Sequence, residues 1–404
     1  MTTFRESARS SAARRRDADR TAESERSTGV PSCPHRPPCP GCPRYGEPGI
    51  AAGARAALTT LSLAHGLPGV SVVSGQSRGF RLRARLAIRG RVGSPKLGLF
   101  ELGTHRVVHI PNCSVQHPLI NRVAGIVRRA LVDAGVSCYS DKAQLGIARY
   151  LQVVIERRSA TAQVVLVGNC ETAEPLGACL ELIRERLGGD LQSLWFNANR
   201  ASSNAIFGPQ FENRYGPAGV VEHFGGAGVH YPPGAFGQNN LEIAEAIISE
   251  LRTLIPAGAR VAEFYAGVGA IGLSVLERVG HITLNEVSDH SLLGLELGLA
   301  ELSPAERAKV TVVPGTAGAA REAARGAQLV IANPPRKGLD PELASLLAES
   351  PPDRFLYVSC GLESFLADTE RLTSAGGLRL RSLKLYNLVP FTDHVETLAC
   401  FERA

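Results

Sequence analysis

The sequence predicts an α/β protein: a doubly wound, seven-stranded sheet in its second half, preceded by a smaller α+β region. Three observations carry this. From residue 260 onward, short apolar runs alternate with helix-length amphipathic segments, as strand–helix units of a parallel sheet do. The first run ends in a glycine turn, Gly267-Val268-Gly269, and the second in an acid, Glu286, at the strand ends where open α/β sheets bind ligands. The run Phe355–Val358 leads straight into Ser359-Cys360-Gly361, which puts a thiol at the same edge.

Composition narrows the function class. The 404 residues are 44% hydrophobic and 5% aromatic, enough for two or more domains and a large core. No stretch approaches the roughly 18 uninterrupted apolar residues of a membrane span, and the N-terminus lacks the apolar core of a secretory signal. It is rich in Arg and Ser, but Glu6, Asp17, Asp19, Glu23 and Glu25 argue against a transit peptide. These features predict a cytoplasmic protein with no membrane partner. In a reducing compartment, nine cysteines point to metal binding or catalysis rather than disulfides. The net charge of +6 permits an anionic partner without requiring one.

Taken in order, residues 1–32 are polar, rich in Arg, Ser and Ala, and without apolar periodicity, so a disordered basic tail is expected. Residues 33–225 form the expected α+β domain. It opens on Cys33, Cys39 and Cys42, spaced C-x5-C-x2-C among prolines that forbid a helix or a central strand. A rigid loop presenting thiolates suits a metal site, and zinc and an iron–sulfur cluster both accept such ligands. Cys113, after the run Val107–Ile110, is the candidate fourth ligand; Cys138, Cys170 and Cys179 sit in apolar runs as core residues. Arg81, Arg83 and Arg85 alternate with Leu82, Ala84 and Leu86, which predicts a strand with one basic face, a footprint for a phosphate backbone. A helix is expected over 119–134, strands over 149–156 and 163–167, and a helix near 171–187. The Gly- and Pro-rich stretch 212–237 reads as a boundary.

The catalytic domain, 226–404, opens with a helix at 241–254 capped by Asn240. Strands follow at 260–264, 281–285, 309–313, 328–332 and 355–358, with helices starting near Ala270, Ser288, Thr316, Asp340 and Gly361. Strands at 378–386 and 395–401 close the sheet. The glycines let a ligand approach the backbone, and Glu286, about twenty residues on, is placed to hold ribose hydroxyls. Together they indicate an adenosine-containing ligand. In Asn333-Pro334-Pro335-Arg336 the prolines turn the chain out of the sheet and hold Asn333 at the cleft. Near the end, His394 and Glu396 fall on one face of the last strand.

At this point the sequence resembles the RNA uracil-C5 methyltransferases that use S-adenosylmethionine. The resemblance rests on Asn333-Pro334-Pro335-Arg336, Tyr357-Val358-Ser359-Cys360 and His394-Val395-Glu396, in the family's order and spacing. Gln238, the turn from Tyr265 through Gly267 and Gly269, and Glu286 also fit. It reaches the cysteine loop, the basic strand and Cys113, and so covers nearly everything after residue 32. Gly361 stands where the motif usually continues with Asn, and Ala266 where the turn often has Cys. The resemblance implies a class I methyltransferase fold, with S-adenosylmethionine held by Gln238, Tyr265, Gly267, Gly269, Glu286 and Asn333. It implies a 4Fe-4S cluster on Cys33, Cys39, Cys42 and Cys113, with zinc as the alternative. Asn at 333 and this cysteine set are similar to the enzymes that act on 23S ribosomal RNA, so a monomeric enzyme making 5-methyluridine in 23S rRNA is expected. Transfer RNA is the alternative target.

The residue types suit that chemistry. Uracil C5 is a weak nucleophile until a thiolate adds to C6, and cysteine both attacks and leaves well. Cys360 is the expected nucleophile. Glu396 is the expected base for the C5 proton, with His394 as its competitor, and Arg336 or Asn333 is placed to bond the uracil edge. Arg81, Arg83 and Arg85 are the expected RNA contacts. Two further readings stand: base amino-group methylation, suggested by Asn-Pro-Pro, and a metal-stabilised RNA-binding protein without catalysis.

Overall fold

The computed structural model describes residues 33–404; the expected basic tail, 1–32, lies outside them. Cys33 and Pro34 fall in a separate compact unit, and the architecture below is that of His35–Ala404.

The first part of this unit is built on a seven-stranded sheet. Helix α1 (Ala52–Ala64) and strand β1 (Ser71–Ser74) precede it. Its strands are β2 (Arg83–Arg91), β3 (Ser94–Phe100) and β4 (Val107–His109), then, after helix α2 (Pro118–Asp133), β5 (Ala148–Glu156) and β6 (Thr161–Gly168). Helix α3 (Gly177–Leu187) leads to β7 (Leu191–Ala198) and β8 (Gln210–Tyr215). The order is β4-β3-β2-β5-β6-β7-β8, antiparallel except between β6 and β7. Pro at the first position of α2 and His117 at its N-cap, accepting from Leu119 N, set where that helix begins. Its apolar stripe, Ile120, Val123, Val127, Ala130 and Leu131, is buried in the core it shares with Leu151, Val153 and Val164.

A hairpin of β9 (Val220–Phe224) and β10 (Ala227–Tyr231) leads to α4 (Leu241–Leu254). The second sheet then follows: β11 (Ala259–Phe264), α5 (Ala270–Ser274), β12 (Val279–Glu286), α6 (Asp289–Ala300), β13 (Val310–Pro314), β14 (Leu329–Ala332), α7 (Pro341–Glu349), β15 (Arg354–Ser359), α8 (Leu362–Ser374), β16 (Leu378–Asn387) and β17 (Glu396–Arg403). The order is β1-β16-β17-β15-β14-β11-β12-β13; β17 runs antiparallel to its neighbours β15 and β16, and the other pairs are parallel. Central strands covered on both faces read as continuous apolar runs. Every residue of β14 is buried, as are Phe355 to Ser359 of β15. Phe355 stacks between Tyr357 and Phe401, with ring centroids 5.6 and 5.7 Å away, which ties β15 to β17.

The expected doubly wound sheet is present, with three differences. It has an eighth strand, β1, drawn from the N-terminal part of the chain to the edge beside β16. The helix expected from Thr316 is a set of turns and a 3-10 segment at Arg321–Ala324. Gly318 lies where a Cβ would meet Asp340 Oδ1 at 2.4 Å, so the chain there serves close approach rather than a helical run. Residues 212–237, expected to be a boundary, carry most of β8 and the β9–β10 hairpin.

Asn240 caps α4 by accepting from Ile243 N at 3.4 Å, while its Nδ2 donates to Leu388 O at 3.2 Å inside the protein. Asn240→Ala removes both bonds. It should lower the unfolding free energy by about 1–2 kcal/mol in denaturant titrations.

Candidate active site

Cys360 and Glu396 are brought together by strand register. The antiparallel pairing of β15 with β17 ends at Ser359 opposite Thr397. Cys360 follows Ser359 and Glu396 precedes Thr397, so both lie just past that last pair, and the Glu396 charge bears on the thiol. Cys360 is half-buried and Glu396 is buried. Burial pushes the Glu396 carboxyl up to about 8. The Cys360 thiol is also raised, first by burial and then by the Glu396 charge, with Arg336 opposing both. The pair therefore favours a single negative charge.

Arg336 reaches the site from the loop after β14. Its guanidinium favours the charged form of Cys360, and its Nη2 lies 2.7 Å from His394 Nε2. The Asn333-Pro334-Pro335-Arg336 loop is braced from below. Ser364 Oγ on α8 donates to Arg336 O at 2.8 Å, and Asp368 Oδ2 accepts from Leu339 N at 3.0 Å and from Tyr357 OH at 2.6 Å. Tyr265 OH accepts from Asp340 N at 2.8 Å. A Cβ at Gly361 would meet Arg336 O at 2.3 Å, so glycine is what lets this loop close over the thiol. The bracing residues Ser364, Asp368 and Asp340 were not singled out from sequence, because their partners lie across the sheet.

The glycine turn forms the other half of the cleft. Tyr265, Gly267 and Gly269 have φ of 60°, 60° and 83°, and the space a Cβ at Gly267 would fill is open. Glu286, at the end of β12, accepts from Gly267 N at 2.8 Å through one oxygen, and from Val287 N and Ser288 N through the other. Those bonds anchor the turn, and Oε2, which accepts one of them, keeps a further lone-pair direction for a ribose hydroxyl. Asn333, half-buried, lies beside β11, its N–H donating to Phe264 O at 3.4 Å. Gln238 is half-buried just ahead of α4. An adenosine ligand is matched by this open backbone turn with an acid beside it.

The three arginines alternate as expected but do not make one open row. Arg83 is drawn inward, its guanidinium 4.2 Å above the Tyr231 ring, with Nη2 shielded and without a hydrogen-bond partner. Arg85 bonds Gln152 Oε1 at 2.9 Å and lies over Phe207. Arg81 lies ahead of β2. Its Nε is shielded and unpartnered; burial lowers its pKa, and Cys113 and Cys42 act against that.

Cys42 and Cys113 pack against the same small apolar cluster of Phe80, Val115 and Phe391. Cys39 lies beside Gly41 and packs on the main core. Among the described residues, no three His, Cys, Asp or Glu side chains converge as a metal site. Two of the thiols, Cys42 and Cys113, nonetheless share one small cluster beside the shielded Arg81 cation, and thiolates are soft ligands. The cysteine loop is tied to the segment before β17. Arg44 N donates to Phe391 O at 2.9 Å, Arg44 Nη1 to Thr392 O at 3.2 Å, and the Tyr45 and Phe391 rings lie 5.3 Å apart. His394 itself sits in that segment, just ahead of β17, rather than in the strand.

This sheet, with its glycine turn and a thiol at its carboxyl edge, defines a class I methyltransferase that uses S-adenosylmethionine. A family model described as tRNA (uracil-5-)-methyltransferase matches residues 325–404. An uncharacterized RNA methyltransferase of Protochlamydia amoebophila is 35% identical over 81% of this chain and 87% of its own length. One from Gloeobacter violaceus is 28% identical over 83% of this chain and 74% of its own. Among solved structures, Pyrococcus abyssi tRNA (uracil-54, C5)-methyltransferase in complex with S-adenosyl-L-homocysteine superposes with a TM-score of 0.70 over 86% of this chain and 81% of that one. At 21% identity it speaks for the fold alone. The chain belongs to the S-adenosylmethionine-dependent RNA uracil-C5 methyltransferases.

Burial of Glu396 has a consequence for stability. Its folded pKa of about 8 lies above an unfolded value of about 4.3. The folded state therefore holds the extra proton, and stability is full below the unfolded value and is lost as pH rises toward 8. Glu263, raised to about 8 by burial, adds a loss of the same sign. In Glu396→Gln the fall in denaturation midpoint between about pH 5 and pH 8.5 should be smaller than in the wild type, with the share of Glu263 remaining.

Proposed function

We propose that this enzyme methylates C5 of a uridine in 23S ribosomal RNA, with Cys360 as nucleophile and Glu396 as base. The observation that carries the mechanism is the cross-strand pair of thiol and buried carboxyl, with Arg336 on the thiol. The thiolate form of Cys360 forms a bond to C6 of the uracil, and the electron pair of the C5–C6 double bond moves to give an enolate nucleophilic at C5. S-adenosylmethionine, when bound at the glycine turn and Glu286, supplies the methyl group.

Once the thiolate charge has gone into the C6 bond, nothing opposes ionisation of Glu396 except its burial, and its proton passes to water. The carboxylate then takes the C5 proton. The C5–C6 double bond re-forms, and the C6–S bond breaks to return the thiolate. A carboxyl poised near 8 is a stronger base than an exposed one, which suits this step. Arg336 stabilises the thiolate before attack and lies where it can face the uracil edge afterwards. His394 accepts from Arg336, so Glu396 is the freer of the two bases. The target uridine must leave its stack to reach Cys360, which favours a loop or single-stranded site.

Cys33, Cys39, Cys42 and Cys113 are proposed to hold a 4Fe-4S cluster. Its support is the loop's spacing and the shielded Arg81 cation beside Cys42 and Cys113. When bound it supplies cross-linking of the loop to the turn before α2; methyl transfer requires no electrons from it. Basic residues of the N-terminal sheet are the proposed contacts to RNA, Arg85 being the exposed member of its row.

Cys360→Ala should bind S-adenosylmethionine with unchanged affinity and lose methyl transfer completely; full activity in this variant would remove the nucleophile from the mechanism. Nucleoside mass spectrometry of cells without the enzyme should show 5-methyluridine missing from 23S rRNA. Loss from transfer RNA alone would move the target and leave the chemistry. Protein purified without oxygen should be brown and contain about four irons per chain; a colourless, iron-free protein would refute the cluster.

A further inference from the structure

The residues assigned so far leave His394 without a task, although it touches Arg336, whose charge bears on Cys360. Arg336 Nη2 and His394 Nε2 are 2.7 Å apart. A guanidinium has donors and no acceptor, so His394 Nε2 must be the acceptor and the imidazole must be neutral, with its proton on Nδ1. The same guanidinium favours the charged form of Cys360, and the Arg336 carbonyl lies against Gly361, the next residue after the thiol. A path therefore runs from a neutral imidazole through a cation to the thiol.

The turn that presents His394 is held independently of Arg336. His394 N donates to Thr392 Oγ1 at 3.3 Å, Thr392 Oγ1 donates to Val389 O at 2.7 Å, and Arg44 Nη1 holds Thr392 O. The imidazole is thus a fixed post, whereas Arg336 lies on an exposed loop with a long, mobile side chain.

We propose that His394 is a positioning residue: in its neutral form it aims Arg336 at the Cys360 thiol, and its protonation releases Arg336 and switches the thiol off at acid pH. This rests on the reading of Cys360 as nucleophile. The charged groups facing His394 are Arg336 from the loop after β14, Asp393 in its own turn, and Arg81 from the chain ahead of β2; Glu396 faces the thiol from β17. Burial, then Arg336, with Arg81 adding, hold the imidazole below its usual value against the opposing pull of Asp393. A second positive charge 2.7 Å from Arg336 would be repelled by it. Protonation adds one proton at Nε2 and breaks one hydrogen bond, with no other bond changed. Arg336 then loses its post, and the thiol is left with burial, which opposes ionisation.

The test is the rate of iodoacetamide labelling of Cys360 in the full-length protein, followed on its own peptide by mass spectrometry between about pH 5 and pH 8. A thiol alone gives a rate that rises tenfold per pH unit below its pKa. In the wild type the rise should be steeper than tenfold per unit over the acid part of the range, because thiol and imidazole titrate together. His394→Gln keeps an acceptor for Arg336 and does not titrate, so its slope should be tenfold per unit throughout. His394→Ala should also show the simple slope, at a rate about tenfold lower near neutrality, the loss expected for one charge-assisted bond.

A tenfold slope in the wild type, which needs no variant, would overturn the proposal. So would equal rates in all three proteins. Because no RNA or methyl transfer enters the readout, this failure is separate from failure of the nucleophile assignment, which an active Cys360→Ala would show.

Discussion

A carboxyl and a thiol stand side by side at the end of two antiparallel strands, one of them fully withdrawn from water. Both ionise to anions, and the site favours only one negative charge between them. Everything around the cleft is arranged to decide where that charge resides. Burial of Glu396 keeps its proton on at neutral pH, so its charge does not oppose a negative charge on Cys360. Arg336 makes it tolerable there. A site open enough to hydrate both groups would ionise Glu396 well below neutral pH and set its charge against the thiolate.

Holding that arrangement requires precision from elements with no contact to the reacting atoms. The loop carrying Arg336 crosses the end of the sheet without regular structure. It is held instead by Asp368, Tyr357, Tyr265 and Ser364, each bonding a backbone group or a partner in the brace. Gly361 contributes by lacking a Cβ: any larger residue would force the Arg336 carbonyl away. These are positional demands, met at once by residues from β15, α8 and the turn after β11. Separation in sequence therefore says little about proximity in the site.

The same distinction explains what could be read from the sequence. The core strands were legible because burial on both faces leaves no choice but continuous apolar runs, as in Leu329–Ala332 and Phe355–Val358. The strand ends were legible because glycines, prolines, an acid and a thiol interrupt those runs. Strand β1 was not, since Ser71–Ser74 is short, largely exposed and stabilised by an edge pairing with residues more than three hundred positions away. The basic row was read correctly in its alternation and not in its exposure. A period of two reports which residues share a face, and Tyr231, which covers Arg83, comes from a distant hairpin. His394 was placed on a strand beside Glu396 by the same period, yet the chain there is a turn, and its bond to Arg336 spans 58 residues.

The N-terminal loop gives the last link. Phe391 has φ of 66°, a conformation that costs a non-glycine residue on the order of 1–3 kcal/mol and persists only where surroundings enforce it. Here the enforcement comes from the cysteine loop: Arg44 binds the carbonyls of Phe391 and Thr392, and Tyr45 packs on the Phe391 ring. The turn so held delivers His394 and then, two residues later, the start of β17 at Glu396. Arg81, beside the thiols of Cys42 and Cys113, also bears on His394. A loop rich in proline and cysteine has little core of its own with which to stay rigid. Its order must come from cross-links or from what it packs against, and here it packs against the segment that leads into Glu396. Loosening the loop would free Phe391 to relax to negative φ, and the first side chains to move would be those that set the charge on Cys360.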